Sequence, residues 1–186
     1  FDMKMAVKLV VGSLLGVCMQ SALALELQSS DVSNQSRMNK QQEYQGFGCD
    51  GANISPALRW KDIPSGTKSF AITVHDPDAP RKGGWWHWLV FNIPRDTRAL
   101  EAGAGNPASG LMPKQAIQSR TDFGKPGYGG PCPPKGHGTH HYPFTLYALD
   151  VDKLSLDQNA TPVEVDSMIR KHMLGSSTIT GLYSRK

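Results

Sequence analysis

The chain has 186 residues, enough for one domain with a substantial core, and no shift in composition divides it in two. Its 20 Lys and Arg against 16 Asp and Glu leave a formal charge of +4, and the basic residues are scattered without a run or stripe, which argues against a nucleic-acid partner. Nineteen glycines and 13 prolines spread between short apolar runs favour a β-rich fold with many turns over a helical bundle.

At the N-terminus, Lys4 and Lys8 flank the start of an apolar run that extends through Leu9-Val10-Val11 to Cys18, and Ala22-Leu23-Ala24 follows with small residues at two cleavage-defining positions. This is the n-region, h-region and A-x-A site of a secretory signal peptide over residues 1–24. Phe1 and Asp2, ahead of Met3, read as an artefact upstream of the start. The run is too short for a membrane span, and Val17 disfavours a lipoprotein reading of Cys18. A single domain is expected over residues 25–186, in the periplasm or secreted. In that oxidising setting a Cys49–Cys132 disulfide is the favoured pairing, with free thiols as the alternative. Closing so long a loop would stabilise by about 4 to 5 kcal/mol in chain-entropy terms. Neither cysteine has a second at ligand spacing, so a zinc site is not expected.

Leu25 and Leu27 suggest an edge strand, followed to Gln45 by a polar surface segment. The stretch from Phe47 to Pro56 is turn-rich, and Leu58-Arg59-Trp60 reads as a strand before the Ile63-Pro64-Ser65-Gly66 turn. Phe70, Ile72 and Val74 then alternate with Ala71, Thr73 and His75, the period of a strand with one face buried, and Asp76 falls on the buried parity. Pro77 and Pro80 stiffen the corner that follows and hold the Asp76 and Asp78 carboxylates with little freedom. In the next strand His87 shares parity with Leu89, Phe91 and Ile93.

Residues 94–123 lack periodicity and read as a long surface excursion. The Gly- and Pro-rich stretch 124–139 is a loop whose backbone N–H groups are candidates for close approach to an anion, although no Gly-Lys-Ser/Thr marks a nucleotide phosphate loop. In the strand from His140 to Ala148, His140 and Tyr142 share parity with Phe144 and Leu146. Thr161-Pro162-Val163-Glu164 is a capping box that opens the one clear helix, with Val165, Met168, Ile169 and Met173 as its apolar face and Gly175 as its stop. Thr178 to Tyr183 suggests a short last strand. Three strands thus aim Asp76, His87, His140 and Tyr142 inward, as one small polar pocket or as separate hydrogen-bonded core residues.

Asp76-Pro77-Asp78-Ala79-Pro80, Trp86-His87-Trp88-Leu89-Val90 with Asn92, and Gly130-Pro131-Cys132-Pro133-Pro134-Lys135-Gly136 with His140 and Tyr142 resemble the phosphatidylethanolamine-binding protein family. Within it the chain is similar to the bacterial Raf-kinase-inhibitor-like, or YbhB/YbcL-like, branch, which Cys49-Asp50-Gly51, Ser55-Pro56 and Trp60 also fit. The resemblance spans nearly all of residues 25–186. It implies a mainly β fold, a large antiparallel sheet packed against a smaller one with a few peripheral helices. It also implies a small anion pocket for phosphate-like groups, built from Asp76, His87, His140 and Tyr142 and walled by Trp85 and Pro134. His141 stands where many members have arginine, and Ala57 where a second proline is frequent.

The expectation is therefore an exported, non-enzymatic binding or regulatory protein that needs no cofactor. Its expected partner is a phosphate-containing small molecule, a phospholipid head group or a protein, and no stable membrane anchor is expected. The two histidines and the tyrosine would donate hydrogen bonds to a phosphoryl oxygen, Asp76 would orient a histidine, and Trp85 would offer a face to a ligand ammonium. The rival readings are a hydrolase using a His–Asp pair, an inhibitor of a protease or kinase through protein contact, and a metal site from His87, His137, His140 and His141. The last lacks any recognised ligand spacing.

Overall fold

The structure, a computed structural model, describes residues 24–186; the expected signal peptide lies outside the described residues except for Ala24. In chain order the strands are β1 (Glu26–Gln28), β2 (Ser36–Arg37), β3 (Gln45–Gly46), β4 (Cys49–Asp50), β5 (Leu58–Lys61), β6 (Ser69–Asp76), β7 (Trp85–Pro94), β8 (Ala99–Leu100), β9 (Ile117–Gln118), β10 (His140–Leu149) and β11 (Met173–Tyr183). One α-helix, α1 (Pro162–His172), and a single 3₁₀ turn at Pro107–Ser109 complete the described elements.

Six strands form the large sheet in the order β2-β11-β10-β6-β7-β9, antiparallel throughout except for the parallel β2–β11 pair. The small sheet is β1-β5-β8. Leu27, Leu58 and Trp60 of the small sheet pack against Phe70, Ile72, Val74, Phe144 and Leu146 of the large one, and together they make the inter-sheet core. The opposite face of the large sheet is covered as well. There Ala71, Leu89, Phe91 and Leu149 meet Val165 and Ile169 of α1. Central strands buried on both faces carry near-continuous apolar runs, so β6 and β7 are buried along almost their whole length.

The helix begins as its capping box dictates. Thr161 Oγ1 accepts from the Glu164 N–H at 3.3 Å and the Glu164 carboxylate accepts from the Thr161 N–H at 2.7 Å. It ends earlier than expected, however. Met173 is already extended, with φ −71° and ψ 124°, so it is the first residue of the 11-residue β11 rather than part of the apolar face, and Gly175 lies within that strand. Pairing with ten residues of β10 outweighs the local preference to continue the helix. The segment expected to lie on the surface before Gln45 also turns inward, burying Met38, Gln42, Glu43 and Tyr44. Glu43 tolerates burial because its carboxylate accepts from Tyr183, from Lys40 and from the Asp50 N–H.

Candidate functional site

The β6–β7 ladder does not run evenly. Val74 faces Trp88 and His75 faces Trp86, which leaves His87 as the extra residue of a β-bulge. By strict alternation His87 belongs with Leu89 and Phe91, and those side chains face α1. The bulge returns it to the inter-sheet side with Trp88 and Val90. A second irregularity between Val90 and Ile93, with Asn92 at φ 58°, brings Ile93 back to the same core. His87 is therefore inward as expected, but through a bulge rather than through parity. Its ring meets Tyr142 edge-on at 5.2 Å and Phe123 at 5.3 Å.

On β10 the parity reading holds. His140 and Tyr142 are buried on the side of Phe144 and Leu146. Asp76, at the end of β6, is 3% exposed, and its two oxygens are both used. Oδ1 accepts from the Asp78 N–H at 2.8 Å, the turn that shapes the proline corner. Oδ2 lies 2.7 Å from His140 Nδ1, and His140 Nε2 lies 2.7 Å from His137 Nδ1. A chain of bonds thus leads from a buried carboxylate through a buried imidazole to an exposed one. A second carboxylate–imidazole pair runs beside it on the surface. Asp78 Oδ2 accepts from both the backbone N–H and Nδ1 of His141, each at 2.8 Å. Burial works to raise the Asp78 pKa, but those bonds outweigh it and hold it below the usual carboxylate value. His141 thereby ties β10 to the corner.

His87 differs from the sequence expectation in its chemistry. Its Nδ1 donates to the Gly129 carbonyl at 2.7 Å, while its own carbonyl accepts the Gly129 N–H at 2.9 Å. Full burial pushes its pKa down to about 4, against the smaller opposing effect of that carbonyl and of Asp76. A neutral ring with Nδ1 protonated presents Nε2 as an acceptor, not a donor. Tyr142 keeps its proton firmly, because burial, then the Asp76 charge, raises its pKa. The Tyr142 hydroxyl and the Trp85 indole N–H are buried and find no hydrogen-bond partner among the described residues.

These side chains meet at a cavity of about 270 Å³ lined by Asp76, Trp85, His87, His140 and Tyr142, with Phe47, Ala79, Pro80, Arg81, Phe123, Cys132, Pro133 and Pro134 around them. All six residues expected at the site are among its walls. Arg81 lies over the Trp85 ring at 5.1 Å and pairs with Asp122 at 3.5 Å, so one face of Trp85 is already engaged by a cation. Phe47, Phe123 and Arg81 were not anticipated from sequence. They come from loops without periodicity, and the signal available was Gly46-Phe47-Gly48 ahead of Cys49, an aromatic residue between two glycines.

Cys49 and Cys132 form a disulfide with Cα atoms 6.0 Å apart, which joins the β3–β4 hairpin to the Pro133-Pro134 wall. Within the glycine-rich loop, Gly129 and Gly130 offer no free backbone N–H to an anion. Their N–H groups are taken by the His87 carbonyl and by Asn53 Oδ1 at 2.8 Å. Glycine is required there for close packing instead. A Cβ on Gly129 would meet Phe123 at 2.3 Å, and one on Gly130 would meet the Gln42 carbonyl at 1.8 Å. The four histidines of the metal reading do not converge. His137 and His140 touch, His87 is bound to Gly129 and His141 to Asp78.

The family model described as phosphatidylethanolamine-binding protein matches residues 28–184. The chain is 47% identical over 162 residues to UPF0098 protein YbhB of Escherichia coli (strain K12), which covers 86% of this chain and 100% of that protein. It is 42% identical over 165 residues to UPF0098 protein YbcL of the same organism, covering 89% and 90% respectively. The crystal structure of E. coli YbcL, described as a new member of the mammalian PEBP family, superposes with a TM-score of 0.86 at 41% identity, covering 88% of this chain and 100% of that one.

Proposed function

The chain belongs to the phosphatidylethanolamine-binding protein family, and from that premise we propose that it is an exported, non-enzymatic binding protein whose pocket takes phosphate-type anions such as the phosphoethanolamine head group. The observation that carries this reading is the pair of buried donors, the Tyr142 hydroxyl and the Trp85 indole N–H, left without partners in side chains that line one small cavity. A buried donor without a partner costs about 1 to 3 kcal/mol, which an anion within hydrogen-bond reach of either group would offset. The bonds from the Asp78 N–H and from His140 to its two oxygens offset part of the repulsion that the Asp76 carboxylate exerts on that anion. Asp76 acts through His140, whose ring it orients from the Nδ1 side. Neutral His87 accepts a hydrogen bond, either from the hydroxyl of a singly protonated phosphate or from a ligand ammonium.

The hydrolase alternative is weakened by two features. His140 Nε2, the nitrogen that would serve as base toward a nucleophile, is bonded to His137, and Cys49 and Cys132 are bridged to each other. The Lys4–Ala24 leader supports a location in the cell envelope or outside the cell, where a cytosolic kinase would not be met.

Amide NMR spectra of the 25–186 protein, recorded while phosphoethanolamine is added with inorganic phosphate as comparison, test the proposal. Shifts confined to the neighbours of Asp76, Trp85, His87, His140 and Tyr142 are expected. No response at millimolar ligand would overturn it.

A further inference from the structure

We propose that Phe47 selects the ligand, so that the pocket prefers phosphate esters carrying a hydrocarbon stem over those without one. The inference rests on the anion-pocket reading and names the ligand class for it. Phe47 and Gly48 are the two residues between β3 and β4, at φ 54° and 79°. Two-residue hairpin turns with both φ values positive normally carry Asn, Asp or Gly, and a bulky aromatic residue rarely adopts this conformation. The Phe47 ring is moreover 72% exposed. One residue thus combines an unfavourable backbone conformation with an exposed aromatic ring at the cavity wall, a combination that points to a role in the pocket.

The tip is held in place from two sides. The Cys49–Cys132 disulfide anchors it to the opposite wall, and Arg185 Nη2 donates to the Gly48 carbonyl at 2.8 Å. So fixed, the ring stacks on Phe123 at 6.0 Å with an interplanar angle of 14° and faces the cavity. The cavity is therefore graded. Its polar groups are Asp76, His87, His140 and Tyr142, whereas Phe47, Phe123, Pro133, Pro134, Ala79 and Pro80 supply apolar wall. Arg81, the one Lys or Arg lining this pocket, is committed to Asp122 and Trp85. A ligand that fills both regions is an anion with an apolar stem that leaves past Phe47.

Binding of methyl, butyl and hexyl phosphate, measured by calorimetry, tests this, because the three monoesters share one charged group. Partial burial of three added methylenes predicts butyl phosphate binding about tenfold more tightly than methyl phosphate. NOEs from the butyl protons to the Phe47 ring are expected in the unmodified protein. Phe47→Asn, which keeps the left-handed turn, should bring the butyl-to-methyl ratio to within about twofold, and Phe47→Tyr should retain it. Methyl phosphate binding with no gain along the series, a butyl chain without NOEs to Phe47, or a full ratio in Phe47→Asn would each overturn the inference while leaving the anion pocket standing. Failure of all three esters to bind would overturn the anion pocket, and this inference with it.

Discussion

His87 hands its one ring proton to the Gly129 carbonyl, and burial keeps the ring neutral with a pKa of about 4. A histidine whose folded pKa is depressed binds its proton more readily when unfolded, so stability falls with pH from the unfolded value of about 6.5 down to about 4. The loss across that window is about 3 kcal/mol. Urea unfolding between pH 7 and pH 4 should show it, and His87→Gln should remove that part of the slope. Glu43 and Asp78, whose pKa values are lowered from 4.5 and 3.8, lose their contributions only below those values. A flat profile from pH 7 to pH 5 would exclude the role given to His87. Asp76 makes a different prediction. In Asp76→Asn, with the amide oxygen kept on the Asp78 N–H, the NH₂ can face His140 Nδ1 only if that nitrogen loses its proton, so the ring should switch tautomer. Phosphoethanolamine should bind at least about tenfold more weakly, with the switch visible in the His140 ring ¹⁵N shifts. Asp76, His140 and Tyr142 were legible because alternation along β6 and β10 is regular as far as the site. His87 had the right destination for the wrong reason, since nothing in a single strand's sequence announces the bulge that redirects it.

At the scale of elements, β7 keeps both His87 and Ile93 on the inter-sheet side only because its register slips twice. The second slip depends on Asn92, which is buried in a left-handed conformation, accepts from the Leu154 N–H at 2.7 Å and donates to the Leu154 carbonyl at 3.4 Å. Asn92→Ala should cost about 2 to 4 kcal/mol, from an orphaned buried N–H together with backbone strain. Asn92→Gly loses the same hydrogen bonds but not the conformation and should be less destabilised than Ala by about 1 kcal/mol, as denaturant midpoints would show. Equal losses would mean that the side-chain bonds alone matter. The long central strands and the capped start of α1 were legible because period and capping are local. The end of α1, the full length of β11 and the inward course of residues 38–44 were not. Each is decided by a partner distant in sequence, β10 for the strand and Tyr183 for Glu43.

For the whole molecule, the two cores and the large sheet stand apart from the disulfide, whereas the pocket's outer wall depends on it. The bridge spans 83 residues and ties the β3–β4 hairpin, a ladder of only two residue pairs, to the loop carrying Pro133 and Pro134. In chain-entropy terms a loop of that length stabilises by about 4 to 5 kcal/mol. The double variant Cys49→Ala, Cys132→Ala should therefore fold, since β6, β7, β10 and β11 carry no cysteine. It should nevertheless lose about 3 to 5 kcal/mol in urea. The loss should also be uneven. Native-state hydrogen exchange should quicken most at residues 45–50 and at the residue 132 amide, where the bridge, Arg185 and the bond from the Tyr44 N–H to the Pro131 carbonyl join the two walls, and least in β6 and β10. A uniform loss throughout the chain would mean that the bridge acts only on the unfolded ensemble. Quickening confined to the hairpin and its facing loop would locate its effect at the mouth of the pocket, where Phe47 is held.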